Sequence, residues 1–254
     1  MPLIEHPHQY QAPEQLLKNR IIVVTGAGAG IGKAAAKAYA AHGATVILLG
    51  KTIEKLEAVY DEIEQAGHPL PAIYPIHFGG ASMKDYGDFA VTLENEFGHI
   101  DGLLHNASIL GDLKPIAQYN DENWQEVMHV NVNAPFMLTQ ALLPLLEKSN
   151  DASIIFTSSG VGRKGRAFWG AYAVSKFATE GMMEVLADEV SNTSAIRVNA
   201  INPGATNTQM RNTAFPGERP TNNPSPEAIM SLYLYLMGPD SQGVNGQSLD
   251  AQPK

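Results

Sequence analysis

The sequence predicts an α/β fold, a single doubly wound domain whose parallel seven-stranded sheet carries helices on both faces. Three observations predict it. Short apolar runs alternate with longer helical patterns along the 254 residues, and parallel strands need such crossover connections. The first run passes directly into a glycine-rich turn and an alanine-rich helix. Apolar residues make up 44% of the chain and charged residues 17%, enough to bury a sizeable core.

Ile21-Ile22-Val23-Val24 reads as a strand buried on both faces, over 21–25. The turn Thr25-Gly26-Ala27-Gly28-Ala29-Gly30-Ile31-Gly32 follows, and a helix is predicted over 30–42. Further strands fall at 45–49, 72–77, 100–105, 152–158, 195–201 and 247–250; further helices fall at 52–66, 82–97, 120–148, 170–192 and 226–238. Residues 1–19 read as an N-terminal lead-in and 20–254 as the catalytic domain. The stretch 205–226 carries prolines at 216, 220 and 224, with 226 closing it. It reads as a long irregular loop over a substrate, with Met210, Arg211, Phe215 and Arg219 as its notable side chains.

The turn uses Gly26, Gly30 and Gly32 in a T-G-x-x-x-G-x-G register; the commoner G-x-G-x-x-G register is not met. Glycines let the backbone approach a pyrophosphate, and the helix N-terminus supplies N–H groups and a positive dipole end. A Rossmann-type nucleotide site is the expectation. An NAD site usually has a carboxylate after the second strand, for the ribose 2′-OH. This chain has Leu49-Gly50-Lys51 there. Lys51 can pair with a 2′-phosphate, which predicts NADP over NAD.

Tyr172 and Lys176 stand four residues apart at the start of the 170–192 helix, so they share one face. A neighbouring ammonium favours a phenolate, so Lys176 is expected to lower the Tyr172 pKa. Ser159 follows the strand run Ile154-Ile155-Phe156 and can aim its hydroxyl at the same point.

Together the glycine spacing, Ser159, Tyr172 and Lys176 resemble the short-chain dehydrogenase/reductase family. Asn106 in His105-Asn106-Ala107-Ser108, Asn131 in Val130-Asn131-Val132-Asn133, and Asn202-Pro203-Gly204 followed by Thr208 resemble its other segments in order. More narrowly, Trp124 to Met210 is similar to the YciK-type oxidoreductases of bacteria. The resemblance implies hydride exchange between NADP(H) and a carbonyl or alcohol substrate, at a CH–OH group. It implies catalytic roles for Asn131, Ser159, Tyr172 and Lys176. Tyr172 is the general acid/base, Ser159 polarises the substrate oxygen, and Lys176 also bonds the nicotinamide ribose. Asn131 holds a water that links Lys176 to solvent. It implies cofactor contacts at Thr25, Gly26, Gly30, Ile31, Gly32, Asn106, Ala107, Pro203, Gly204 and Thr208. Three segments depart from the family pattern. His105 and Ser108 replace Asn and Gly, His77 stands where an Asp contacts adenine, and Leu249-Asp250-Ala251-Gln252 replaces a terminal Asp-Gly-Gly.

A net charge of −9 argues against general nucleic-acid or anionic-membrane binding. No apolar run approaches spanning length. The chain has no cysteine, and its eight histidines show no metal spacing. The start Met1-Pro2-Leu3-Ile4-Glu5-His6 lacks a signal-peptide pattern, and a cytoplasmic enzyme is expected. Apolar residues spread round 134–146 and 170–192 suggest helices buried on two sides. The family associates through these two helices, so a homodimer or homotetramer is expected. The competing reading is a nucleotide-binding regulator or scaffold without turnover.

Overall fold

In a computed structural model, described for residues 7–253, the strand periodicity decides the layering. β1 (Ile21–Thr25) sends Ile22 and Val24 into one core layer and Val23 into the other, because successive strand side chains point to opposite faces. β2 (Thr45–Gly50) repeats this, with Val46 and Leu48 opposed to Ile47 and Leu49. The sheet is completed by β3 (Ala72–Pro75), β4 (Gly102–His105), β5 (Ala152–Thr157), β6 (Ile196–Asn202) and β7 (Ser248–Asp250). All seven strands are parallel, in the order β3-β2-β1-β4-β5-β6-β7. The chain winds outward from β1 to β3, then returns to place β4 beside β1. That reversal opens a crevice at the strand carboxyl ends, where ligands bind in doubly wound sheets.

The helices in chain order are α1 (Gly30–Ala41), α2 (Ile53–Gln65), α3 (Met83–Phe97), α4 (Asp121–Met128), α5 (Ala134–Leu146), α6 (Gly170–Val190), α7 (Gln209–Ala214) and α8 (Met230–Met237). Helices α1, α2 and α8 pack on one face through Tyr39, Leu56 and Leu236. Helices α3, α5 and α6 cover the other through Phe89, Leu142 and Met183. Each such fully buried side chain contributes about 1.5–3 kcal/mol.

Three elements differ from expectation. The predicted 120–148 helix divides into α4, a π-helical turn (His129–Asn133) and α5. Pro135 opens α5 and has no N–H for the carbonyl of Asn131 four residues back. A wider turn forms instead, with Ala134 donating to the His129 carbonyl. The 205–226 stretch is not wholly irregular, since α7 forms inside it and Thr208 caps it by accepting from Arg211 N at 3.2 Å. Strand β3 stops at Pro75 rather than residue 77, with Ile76 N making a last bond to Gly50 O at 2.9 Å.

Residues 1–6 of the lead-in, with the start of the chain read for a signal peptide, lie outside the described residues, as does Lys254. Residues 7–19 pack on the domain. Leu17 is fully buried, and Tyr10 donates to Asp240 at 2.7 Å with its ring 5.2 Å from that of Tyr235. Among the described residues no helix is long and apolar enough to cross a membrane.

Candidate active site

Two cavities meet along the carboxyl edge of the sheet. One, of about 330 Å³, is lined by Gly26, Gly30, Ile31, Asn106, Ala107, Ser159, Tyr172, Lys176, Pro203, Gly204 and Thr208, all expected from the sequence. The second, of about 290 Å³, runs from the glycine turn past Lys51 to His77. Gly26, Ala29, Ala107 and Ser108 line both, so they form one groove.

The glycine turn shapes its middle. Gly26 and Gly30 have φ of +67° and +54°, a left-handed conformation that favours glycine. A Cβ on Gly32 would lie 2.2 Å from the Gly26 carbonyl oxygen. Gly32 therefore serves close packing of α1 under the turn and does not line either cavity. Ala29 stands at the N-cap of α1 and offers no side-chain bond. The N-terminal N–H groups of a 12-residue helix thus face the groove without a side-chain cap. Thr25 also stands behind the groove. Its hydroxyl donates to Leu104 O at 3.2 Å and accepts from Asn106 N and Ala107 N at 2.9 and 3.0 Å, tying the ends of β1 and β4 together.

A dinucleotide phosphate ester fits this chemistry: an uncapped helix end, a turn free of side chains, and cations at one end of the groove. Lys51 lines that end, and so do Thr52 and Lys55, the latter not singled out from sequence. Lys55 stands in the first turn of α2, shortly after the Gly50-Lys51-Thr52 strand end, a position that could have revealed it. Glu126 is the one carboxylate on this lining. His77 and Ser108, both departures from the family pattern, line the groove as well. His105 instead faces the core, stacked 4.7 Å from Phe156 and bonded to Thr139 at 2.8 Å. Burial pushes its pKa down to about 3, so it stays neutral.

Tyr172, Lys176 and Ser159 come together as expected, but the electrostatics differ. Burial pushes the Tyr172 phenol up to about 12, and a hydrogen bond with Ser159 only partly opposes this. The expected lowering of Tyr172 by Lys176 is not what the structure shows. The ammonium lies 5.5 Å from the phenol ring centroid and donates to the Thr157 carbonyl at 2.8 Å. Burial drives Lys176 itself down to about 8, and only the Glu180 carboxylate pulls it upward. Desolvation outweighs pairing for both groups because both are nearly enclosed, with exposures of 7% and 3%. Glu180 was missed from sequence. It lies one turn beyond Lys176 on α6, accepts from the Ser158 hydroxyl, and sits 3.6 Å from Arg163.

Asn131 lies behind the site. Its amide donates to Ile109 O at 2.9 Å and Ser175 Oγ at 3.0 Å, and its oxygen accepts from Ile109 N at 2.9 Å. Ser175 in turn donates to the Tyr172 carbonyl at 2.8 Å. The side chain therefore locks the loop after β4 onto the first turns of α6, with both amide hydrogens used.

Beyond Tyr172 the cavity is walled by Trp169, Leu110, Met210, Arg211 and Phe215; Arg219 does not line it. Gln252, at a departure from the family ending, donates to Pro203 O and Ala205 O at 2.8 Å each. It clamps the Pro203-Gly204 turn, where Gly204 has φ +71°.

Among the described residues no cluster could hold a metal ion. The sequence model for short chain dehydrogenases matches residues 20–219. The chain is 52% identical over 244 residues to the uncharacterized oxidoreductase YciK of Escherichia coli, covering 96% of each. The structure matches a short chain dehydrogenase structure from Pseudomonas syringae with TM-score 0.95 at 61% identity, covering 96% of this chain and 99% of that one. It matches a Shigella flexneri short chain dehydrogenase complexed with NADP with TM-score 0.93 at 52% identity, covering 95% of this chain and 100% of that one.

Proposed function

The chain belongs to the short chain dehydrogenase family of oxidoreductases, and from that premise we propose that it reduces a carbonyl compound with NADPH or runs the reverse alcohol oxidation. When bound, NADP(H) supplies or accepts the hydride. The observation that carries the reading is the meeting of Ser159, Tyr172 and Lys176 on the cavity that the glycine turn also lines.

Ser159 bonds the substrate oxygen and polarises the carbonyl. Tyr172, raised to about 12, stays protonated at neutral pH. It remains a far stronger acid than an alcohol, so it can protonate the developing alkoxide. That protonation state suits reduction better than oxidation. Lys176 places a mobile proton one helical turn away and bonds the nicotinamide ribose. Asn131 holds the water leading to Lys176 through its backbone carbonyl, since its amide hydrogens are spent and Pro135 withholds the α-helical donor. The pyrophosphate rests on the turn from Gly26 to Gly32, and Lys51 with Lys55 meets the 2′-phosphate, which favours NADP over NAD. The catalytic domain spans 20–254. A homo-oligomer forms through α5 and α6, where Phe136, Phe177 and Val185 are 53%, 45% and 59% exposed. Phe177→Glu should then shift the native assembly toward monomer in sedimentation analysis.

The test is NADPH consumption across a panel of carbonyl compounds. Tyr172→Phe should lose about 10²–10⁴-fold in kcat on any compound turned over, with NADPH affinity retained. Native-rate turnover by that variant would refute the acid role. Tight NADPH binding without turnover anywhere on the panel would favour a regulator or scaffold instead.

A further inference from the structure

We propose that the substrate is an uncharged carbonyl compound bearing a ring close to its carbonyl group. This rests on the hydride-transfer reading and names the substrate class for the same site.

The first observation is a corner of three aromatic rings. Trp169 immediately precedes α6, with its ring centroid 5.8 Å from that of Tyr172 at 49°. On its other side Phe215, at the end of α7, lies 5.8 Å away at 45°. These separations fall within the range where aromatic rings attract. Leu110 and Met210 line the same region. A flat apolar group is what such a corner accommodates, and the corner begins at the proposed proton donor.

The second observation is that both cations here already have acceptors within the protein. Lys176 and Arg211 are the charged side chains on the cavity lining. Lys176 is held by the Thr157 carbonyl. Arg211 donates through Nε and Nη2 to the Glu218 carboxylate, at 2.6 and 2.9 Å. Asn223 also donates to Glu218 at 3.0 Å, and the Arg211 guanidinium lies over the Phe215 ring at 3.7 Å. Arg166 is 5.7 Å from the same ring but does not line the cavity. A carboxylate or phosphate beside the substrate carbonyl would lose water and gain no free cation.

The test uses three matched ketones with NADPH: 4-phenyl-2-butanone, 2-decanone and 2-oxo-4-phenylbutyrate. The first and third differ only in methyl against carboxylate, the first and second only in the ring. We expect kcat/KM for 4-phenyl-2-butanone to exceed that for 2-decanone about tenfold and that for the keto acid about 100-fold. Trp169→Ala should abolish the ring preference and leave the NADPH Kd unchanged; Trp169→Phe should restore it. Glu218→Gln, by freeing Arg211, should shift the ratio toward the keto acid. Calorimetric titration of the three compounds into protein saturated with NADP⁺ should give the same ranking without turnover. Equal or better use or binding of the keto acid, or no advantage for the ring, overturns the proposal. So does failure of all three when another carbonyl compound is reduced. If no carbonyl compound consumes NADPH, the hydride-transfer reading fails, and the binding ranking alone decides the substrate class.

Discussion

Replacing Lys176 with methionine should make the protein's relative stability depend on pH in a way set chiefly by burial. In the native state the Lys176 pKa falls from 10.5 to about 8, chiefly through desolvation. Below about pH 8 both folded and unfolded chains hold the proton, and folding carries the full cost of an enclosed ammonium. At about 1.36 kcal/mol per pH unit that cost is about 3 kcal/mol. Between pH 8 and 10.5 the unfolded chain binds more protons, so native stability rises with pH. Above 10.5 the lysine is neutral in both states and the cost is gone. Lys176→Met never carries it, but leaves the Thr157 carbonyl without its donor, a loss of about 1–3 kcal/mol. The stability of the variant minus that of the native protein should therefore drop by about 3 kcal/mol from pH 7 to pH 10.5. The buried phenols of Tyr39 and Tyr233, both raised, weaken folding from about pH 10 upward, where the unfolded phenols ionise, in both proteins and cancel in the difference. Urea unfolding of both proteins at half-unit pH steps measures it. A difference independent of pH would refute desolvation as the dominant influence on Lys176. The same variant should lose carbonyl reduction, which would place a stability cost at the residue that the chemistry needs.

Two further outcomes follow from the groove. Lys51→Glu should remove a preference for NADPH over NADH in measured dissociation constants, a contact of about 1.5–3 kcal/mol when well formed and less at this exposed lysine; Lys55 should leave part of it, so that only Lys51→Glu/Lys55→Glu removes it fully, and equal native affinities would contradict the assignment. Gln252→Glu keeps the shape but turns a carboxylate toward the Pro203 and Ala205 carbonyls, which now accept from the amide; NADPH affinity should fall about tenfold or more, whereas Gln252→Ala should fall less, and native affinity in Gln252→Glu would show that the clamp does not shape the cofactor turn.

Much of the candidate site could be read in the chain because it is built from short local patterns. Gly26, Gly30 and Gly32 follow a buried strand, and Tyr172 and Lys176 share a helix face at four-residue spacing. The unbroken apolar run from Ile21 to Val24 likewise announced a sheet covered on both sides. These features depend on neighbours in sequence, where periodicity and steric limits act.

Only the tertiary structure decided what depends on enclosure or on distant partners. Spacing alone suggested that Lys176 would lower the Tyr172 pKa; packing excludes water from both and turns the ammonium to the Thr157 carbonyl, so desolvation wins. The helix expected through residue 131 is interrupted at His129–Asn133 ahead of Pro135, while the Asn131 side chain is held by Ile109 and Ser175, 22 and 44 residues away. Gln252, unexplained as a departure in sequence, gains its purpose from a turn 47 to 49 residues earlier. A residue's spacing determines which face it occupies, but its charge and its partners are set by what the fold closes around it.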